Sequence, residues 1–297
     1  MTQEPLRSRA ATEERTGARR DRERPPAPEP LPHPVVDNHC HLDIADGDWL
    51  ATEAAIAAAA AVGVPRIVQI GCDLPGARWA VAAAQEHPAL VAAVALHPNE
   101  AARLAAAGEL EQALSHIEEL AHAHDKVRAV GETGLDHYRT PEGPGRAAQE
   151  ESFRRHIELA KRADLTLVIH DRDAHRDVLR VLADEGAPER WVMHCFSGDA
   201  AFARACLDAG AYLSFAGTVT FKNADPLREA LALTPVDRLL VETDAPYLAP
   251  MPYRGRPNAS YLVPVTMRAM AQVRGADLGE LCAAVDANTE AAFGGAW

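Results

Sequence analysis

Short apolar segments with a preference for extended structure recur eight times along this chain, and stretches with helical patterning separate them. Each segment is apolar on both faces, as is typical of parallel strands that are covered on both sides. Eight alternating strand–helix units predict an α/β protein with a single-domain TIM-type (β/α)8 barrel, and a doubly wound open sheet is the alternative. The predicted strands are residues 35–41, 66–71, 91–97, 127–132, 165–170, 191–194, 212–216 and 239–244.

Helical periodicity is clearest between the fourth and fifth predicted strands. In residues 151–161, Phe153, Ile157 and Ala160 share one face, as an amphipathic helix requires. Residues 261–273 and 278–293 are predicted to be closing helices, and no repeat or second domain is evident. We therefore expect one barrel over residues 35–297, close to the usual length of this fold, about 250 residues.

The first 34 residues differ in composition from the rest of the chain. Residues 7–34 are rich in Arg, Glu and Pro and contain almost no large apolar side chains. Such a segment buries too little apolar surface to offset the entropy of ordering it. Residues 1–34 are therefore predicted to be a disordered N-terminal extension.

Composition excludes several classes of protein. The net charge of −13 is opposite to that of a protein that coats nucleic acid, although an enzyme can hold a few phosphates through metal ions. No apolar run approaches the roughly 20 residues of a membrane span, and no secretory signal is evident. The five cysteines are an odd number without a closely spaced pair, which argues against a disulfide framework or a zinc knuckle. We expect a cytoplasmic protein with no membrane partner and no obligate protein partner.

Side chains that can bind metals stand at the ends of five of the apolar strands. Burying such groups without partners is costly, and the C-terminal strand ends of a barrel converge on one mouth. Imidazoles and carboxylates together suit Zn, Mn, Fe or Mg rather than a metal that prefers thiolates. The pattern predicts a divalent-metal site made of His39, His41, Glu132, His170, His194 and Asp244.

Several motifs around these residues resemble those of the TatD family of metal-dependent deoxyribonucleases, in the amidohydrolase superfamily. The resemblance covers about residues 35–294, nearly everything outside the N-terminal extension. Together the motifs are specific, although any one alone is weak. They are DNHCHLD (37–43), ALHP (95–98), GETGLDHY (131–138), VIHDRDA (168–174), MHCFSG (193–198), ETDAPYLAP (242–250) and NTEAAFG (288–294).

The resemblance implies roles for the strand-end residues. His39 and His41 resemble the family's first metal pair, Glu132 its bridging carboxylate, and His170 with His194 the ligands that complete a second site. The resemblance implies two divalent metal ions. Mg²⁺ is the expected metal, and Mn²⁺ and Zn²⁺ are the alternatives. Glu132 also separates the chain from relatives that use a carbamylated lysine as the bridge.

Other residues carry more than one interpretation. Asp244 resembles a metal ligand or the general base beside the attacking water, and Glu242 is interpreted as orienting a ligand. His97 resembles the family histidine that meets a phosphate or the leaving group, although its spacing equally suits a helix cap. Arg172 is the preferred phosphate contact, and the other cations considered are Arg139, Lys222, Arg254 and Arg256. The aromatic residues considered for base stacking are Tyr138, Phe196, Phe221 and Tyr247.

The resemblance implies a DNA phosphodiesterase of the 3′–5′ exonuclease type, acting on single strands or ends. The alternatives are hydrolysis of another ester or amide bond, such as the ester of aminoacyl-tRNA, and a barrel that binds metal without catalysis. Metal-activated water attacks carbonyl and phosphoryl centres alike, so the metal site does not discriminate between the hydrolases. The chain departs from the family before His170, where Thr166–Leu167 replaces a usual proline, and in the loop RGRPNAS (254–260), which affects substrate preference.

Overall fold

A barrel of eight parallel strands forms the centre of the computed structural model, which describes residues 4–12 and 19–297. The strands lie in chain order around the sheet, and each pairs in parallel with the next. In chain order they are β1 Val36–Cys40, β2 Arg66–Gly71, β3 Leu90–Val94, β4 Val127–Asp136, β5 Thr166–Arg172, β6 Trp191–Met193, β7 Tyr212–Phe215 and β8 Leu239–Val241.

The sheet closes where the end of β1 meets the chain that follows β8. The backbone N–H of Asp244 donates to the carbonyl of His39 at 2.9 Å, and the N–H of His41 donates to the carbonyl of Ala245 at 2.8 Å. Cys40 and Ala245 form a parallel bridge at the same place. The closed order of strands confirms the TIM-type barrel and excludes the doubly wound open sheet.

Helices connect the strands and cover the outside of the barrel. In α5 the predicted apolar face is confirmed, because Phe153, Ile157 and Ala160 are all buried. The helices are α1 Thr52–Ala60, α2 Leu74–Glu86, α3 Pro98–Ala107, α4 Leu110–Ala121, α5 Pro144–Ala163, α6 His175–Glu185, α7 Ala200–Asp208, α8 Asp225–Leu233, α9 Val263–Arg274 and α10 Leu278–Ala292. In the described part of the chain, none of them is both long and apolar enough to cross a membrane.

Alternate residues of each strand pack on the two faces of the sheet. Val68 and Ile70 of β2 cluster with Val91 of β3 and Val168 of β5, inside the barrel. Ile67, which precedes Val68 in β2, points to the other face and belongs to the cluster that includes the helices. Burial on both faces explains why the strand sequences are continuously apolar rather than alternating.

The described part of the N-terminal extension, residues 4–12 and 19–34, lies against the barrel, and we refer to it as the N-terminal strap. Its strand Arg7–Ser8 pairs in parallel with Ile44–Ala45, which follows β1. Arg20 and Leu31 are buried. This arrangement differs from the predicted disorder, because the charged residues of the strap find partners on the barrel that composition alone does not reveal. Residues 1–3 and 13–18, which the prediction also covered, lie outside the described residues.

Candidate metal centre

Two breaks in strand register bring the central side chains into the barrel mouth. Pairing of β1 with β2 shifts between Asp37 and Cys40, and pairing of β4 with β5 shifts between Gly131 and Thr133. A bulge adds an unpaired residue to one strand and redirects its side chain. The two shifts contain His39 and Glu132, and Nε2 of His39 lies 3.5 Å from Oε2 of Glu132 in the mouth.

Glycines allow the backbones of β4 and β5 to approach closely around Glu132. A Cβ atom on Gly131 would lie 2.5 Å from Cβ of Val168, and one on Gly134 would lie 2.1 Å from the carbonyl oxygen of His170. Gly134 also has a φ of +135°, which favours glycine over other residues. A larger residue at either position would push Glu132 away from β5.

Glu132 is the centre of the cluster, and its two carboxylate oxygens face different histidines. Oε1 lies 2.6 Å from Nδ1 of His170, 2.9 Å from Nε2 of His194 and 3.6 Å from Nε2 of His97. Oε2 lies 3.5 Å from Nε2 of His39 and 4.0 Å from Nε2 of His41. The carboxylate thus divides the imidazoles into two sets.

Asp244 completes the set around His39 and His41. Its Oδ1 lies 3.4 Å from Nε2 of His41 and 3.8 Å from Nε2 of His39. The φ of Asp244 is +53°, an uncommon backbone conformation for a residue other than glycine, and such residues often stand at functional sites. The hydrogen bonds that close the barrel flank this residue, so they hold the strained backbone in place.

Buried acidic residues hold the histidines and the strand ends from behind. Nδ1 of His194 lies 3.0 Å from Oε1 of Glu242, in agreement with the interpretation of Glu242 as an orienting group. The carboxylate of Asp37 accepts hydrogen bonds from the N–H and the hydroxyl of Thr243 at 2.9 and 2.6 Å. These contacts join β1 to the segment that carries Asp244.

The surrounding charges shift the pKa values of the central groups. Burial alone would raise the pKa of Glu132, but the charge of His194 and the hydrogen bonds with His170 and His194 hold it well below its ordinary value. Burial would lower the pKa of His170, yet the nearby carboxylates of Asp136 and Glu132 raise it to about 9. For Asp244, burial raises the pKa, and the hydrogen bond with His41 together with nearby histidine charges brings it below the ordinary value.

The ring nitrogens of His39 show that the cluster is suited to a metal ion. His39 is fully buried, and among the described residues neither its Nδ1 nor its Nε2 has a hydrogen-bond partner, nor does Nε2 of His170. Buried polar atoms without partners are costly, and a cation would satisfy them. In the triads His39–His41–Asp244 and His97–Glu132–His170, the ligand atoms lie within 4.8 Å of one another. The structure therefore contains a His, Glu and Asp cluster able to bind metal, and it brings together all six residues that the sequence nominated.

His97 caps a helix, which is one of the two roles that its sequence position suggested, and its ring also faces the cluster. Its Nδ1 accepts a hydrogen bond from the N–H of Asn99 at 3.2 Å, which caps the N-terminus of α3. Its Nε2 faces Glu132. Burial lowers the pKa of His97 to about 3, so the ring is neutral.

The nominated cations lie at the rim rather than among the central groups. Arg172 is exposed at the end of β5 and its guanidinium lies over the ring of Tyr138, 4.0 Å from the ring centroid. Arg254 lies similarly over Phe221 at 4.6 Å. Arg256 instead forms ion pairs with Asp21 and Glu23 of the strap.

The four aromatic residues considered for stacking have different surroundings. Phe196 is buried in the core and packs against Phe202 and Phe215. Tyr247 stands edge-on to His41, with ring centroids 6.3 Å apart. Tyr138, Phe221 and Tyr247 each lie under a guanidinium, which for Tyr247 is that of Arg9 of the strap, 4.7 Å from the ring centroid. Lys222 follows Phe221 and is exposed.

Sequence reasoning missed two residues of the cluster, Asp136 and Cys72. Oδ2 of Asp136 lies 3.6 Å from Nε2 of His170 and accepts a hydrogen bond from Asn99. The thiol of Cys72 lies 3.4 Å from Oε2 of Glu132. Both could have been found, because Cys72 directly follows β2 and Asp136 stands four residues after Glu132 in the same motif.

The fold and the cluster define a class, the metal-dependent hydrolases built on a TIM-type barrel. Comparison with known proteins gives the family, because the family model described as "TatD related DNase" matches residues 36–294. This chain belongs to the TatD family of metal-dependent hydrolases, as its motifs indicated.

Individual relatives agree over nearly their whole length. The uncharacterized metal-dependent hydrolase TatD of Mycobacterium tuberculosis is 46% identical over 273 residues, which are 89% of this chain and 99% of the relative. The uncharacterized metal-dependent hydrolase YcfH of Escherichia coli is 38% identical, covering 83% of this chain and 91% of the relative. The crystal structure of YJJV, a TatD homolog from Escherichia coli, superposes with a TM-score of 0.77 at 29% identity, covering 88% of this chain and 98% of the other.

Proposed function

We propose that this chain is a deoxyribonuclease that hydrolyses DNA phosphodiester bonds from an end, in the 3′-to-5′ direction, on single-stranded substrate. The observation that carries the proposal is the position of Glu132, whose two carboxylate oxygens face different sets of histidines. A carboxylate placed in this way is suited to bridge two divalent ions. Such a pair of ions is one of the common arrangements in nucleases and phosphatases.

The proposed ligands fall into two sets around Glu132. His39, His41 and Asp244 would hold one ion, and His170 with His194 would hold the other. When bound, the ions would supply an activated water and stabilise the charge on the attacking and leaving oxygens. Because most donors are imidazoles, the set favours Mn²⁺ or Zn²⁺ over Mg²⁺, which prefers oxygen ligands and which the sequence interpretation put first.

The residues of the chain have distinct proposed tasks. Asp244 takes the proton of the attacking water, since its lowered pKa keeps it ionised and its side chain is 16% exposed, whereas that of His39 is fully buried. The neutral His97 contacts a phosphoryl oxygen through Nε2, since its Nδ1 accepts from the backbone and the proton therefore resides on Nε2. Arg172 binds a flanking phosphate from the rim. Glu242 fixes the orientation of His194.

The partner of the enzyme in this proposal is DNA, and its compartment is the cytoplasm. All five cysteines are free thiols, and three of them are buried. Free thiols persist in reducing compartments, which supports the proposed location.

The first experiment is cleavage of an end-labelled single-stranded DNA oligomer by EDTA-stripped protein to which Mg²⁺, Mn²⁺ or Zn²⁺ is added separately. Wild-type protein should shorten the oligomer progressively from its 3′ end with at least one metal. Asp244→Asn should lower kcat by about 10²- to 10⁴-fold, the usual contribution of a general base. Asp208→Asn, an exposed site at the end of α7, is the matched control and should retain wild-type kcat.

Two results would contradict the proposal. One is intact DNA in the presence of every metal, from protein that binds metal by isothermal titration. If that protein hydrolyses a carboxylic ester such as an aminoacyl-tRNA, the alternative function replaces the nuclease. The other is unchanged kcat in Asp244→Asn, which would remove Asp244 from proton transfer.

A further inference from the structure

Beside the metal centre, the mouth of the barrel opens into a groove of about 980 Å³. The groove begins at Cys195, the residue after His194, and runs between the loops that follow β6, β7 and β8. One wall is apolar, and two cations stand on its rim. We refer to it as the lateral groove, and its main lining residues are Cys195, Phe221, Lys222, Leu227, Met251 and Arg254.

The two cations of the lateral groove have no acidic partners among the described residues. Arg254 is held over the ring of Phe221, 4.6 Å from its centroid, and Lys222 is exposed beside it. By contrast, Arg228 in the following helix bonds to three backbone carbonyls and to Asp225. In a chain of net charge −13, unneutralised cations next to a metal cluster mark the surface where an anion is attracted.

The acidic residue that lines the groove does not cancel this charge locally. Oδ1 of Asp199 accepts hydrogen bonds from the N–H groups of Ala201 and Phe202, at the N-terminus of α7. The positive end of a helix stabilises a carboxylate at this position. Lys222 and Arg254 therefore remain available to a ligand.

A cationic rim above an apolar aromatic wall matches the chemistry of a single-stranded nucleic acid. Proteins bind such strands with basic side chains along the backbone and with aromatic rings or guanidinium groups against the bases. A paired duplex keeps its bases stacked on one another, so only an unpaired strand offers a base face to the wall. The volume of the groove also falls within the usual range of ligand sites, about 300–1,000 Å³.

We propose that the lateral groove binds the nucleotide adjacent to the cleaved bond of single-stranded DNA. The base packs against Phe221 and Met251, and the flanking phosphates contact Arg254 and Lys222. The inference rests on the proposed function, which it extends by assigning a nucleotide subsite and the residues that form it.

The test is binding of a fluorescein-labelled oligothymidylate, followed by anisotropy over a range of salt concentrations, with full-length protein in EDTA. Arg254→Ala and Lys222→Ala should each reduce the slope of log Kd against log salt by about 0.7, the contribution of one phosphate contact in a single strand. Phe221→Leu should weaken binding on the order of tenfold without changing that slope, because it removes the aromatic surface and no positive charge. Wild-type protein should also bind an abasic oligomer more weakly.

The matched control is Arg162→Ala, which removes the same charge at the opposite end of the barrel. Arg162 lies at the end of α5, just before β5 begins, and its side chain is 56% exposed. It should retain wild-type affinity and salt slope. The inference is overturned if the three groove variants bind like this control, or if abasic and base-containing oligomers bind equally.

Hydrolysis of bis(p-nitrophenyl) phosphate by metal-loaded protein separates this inference from the proposed function. The inference predicts that the KM of the groove variants for the oligomer rises, whereas Arg162→Ala should hydrolyse both the diester and the oligomer at the wild-type rate. Absence of hydrolysis of both substrates by the wild type would refute the proposed function instead. Thermal melting of each variant checks that the fold is retained. Lys222 is exposed, so Lys222→Ala is the variant least expected to disturb the fold.

Discussion

The two sides of the barrel mouth use the same type of residue in opposite ways. On the strap side, next to β1, β2 and β8, arginines are neutralised by acidic partners: Arg7 bonds to Asp43 and Asp73, and Arg20 to Asp46. On the side of the lateral groove, Arg254 rests on Phe221 and has no acidic partner among the described residues. The comparison suggests that arginines of the strap stabilise the fold, while those of the groove serve a ligand.

The difference in burial follows from this pairing. The side chain of Arg20 is 4% exposed and that of Asp46 is completely buried. Removing a guanidinium from water is tolerated only where a carboxylate compensates the charge. Arg254, which has no such carboxylate in the described part of the chain, remains exposed. Stability and binding should therefore respond differently to mutation on the two sides.

The largest expected effect is on the strap side, in Arg20→Ala. Removal of one member of a buried ion pair leaves an uncompensated charge, which costs about 3–5 kcal/mol. Because Arg9 still lies 3.2 Å from Asp46, we expect about 3 kcal/mol, at the lower end of that range. Arg254→Ala should change stability by no more than about 0.5 kcal/mol, as at other surface positions. Urea unfolding followed by circular dichroism measures both.

The double variant Arg20→Ala/Asp46→Ala identifies the origin of the loss. If the buried carboxylate is the cause, the double variant should be more stable than Arg20→Ala alone. Equal losses of stability in Arg20→Ala and Arg254→Ala would contradict the proposed difference between the two sides.

A smaller effect is expected from Leu31→Ala, where the strap enters the core. Leu31 is buried, and its N–H donates to the carbonyl of Val62 at 3.0 Å. Because the side chain lies at the edge of the core, we expect a loss of about 2 kcal/mol, the low end for such truncations. Leu6→Ala is the control, since Leu6 is 46% exposed and should change stability by no more than about 0.5 kcal/mol. If Leu31→Ala leaves the free energy of unfolding unchanged, the strap covers the surface without contributing to the core.

Much of the barrel and the metal cluster could be predicted from sequence because their signals are local. A strand buried on both faces is apolar throughout, as in Arg66–Gly71, and a polar residue at its end is conspicuous. Convergence of strand ends then brings Glu132 and His194 together without knowledge of any contact. The boundaries were less accurate, since β4 extends to Asp136, four residues beyond the predicted end at Glu132.

The strap could not be predicted because its order depends on partners distant in sequence. Arg20 is stabilised by Asp46, and Tyr261 donates a hydrogen bond to the carbonyl of Pro25 at 2.7 Å. Residues 7–34 are indeed poor in apolar side chains, and this composition favours disorder. It does not reveal the ion pairs that these residues form with residues distant in sequence. The same reason explains why Arg256 resembled a phosphate contact in sequence and pairs with the strap in the structure.

The smallest effect, and the sharpest comparison, concerns Arg254 and Arg256, two arginines of one loop that face opposite sides of the mouth. Arg256 forms an ion pair with Asp21 at 2.8 Å, and both side chains are substantially exposed, 30% and 50%. Such pairs contribute about 0–1 kcal/mol and weaken in salt. Arg256→Ala should therefore lower stability by less than about 1 kcal/mol, with the loss vanishing at high salt, and should leave the affinity for the oligothymidylate unchanged. Weaker oligomer binding in Arg256→Ala than in Arg254→Ala would reverse the assignment and place the strap, rather than the lateral groove, on the path of the DNA.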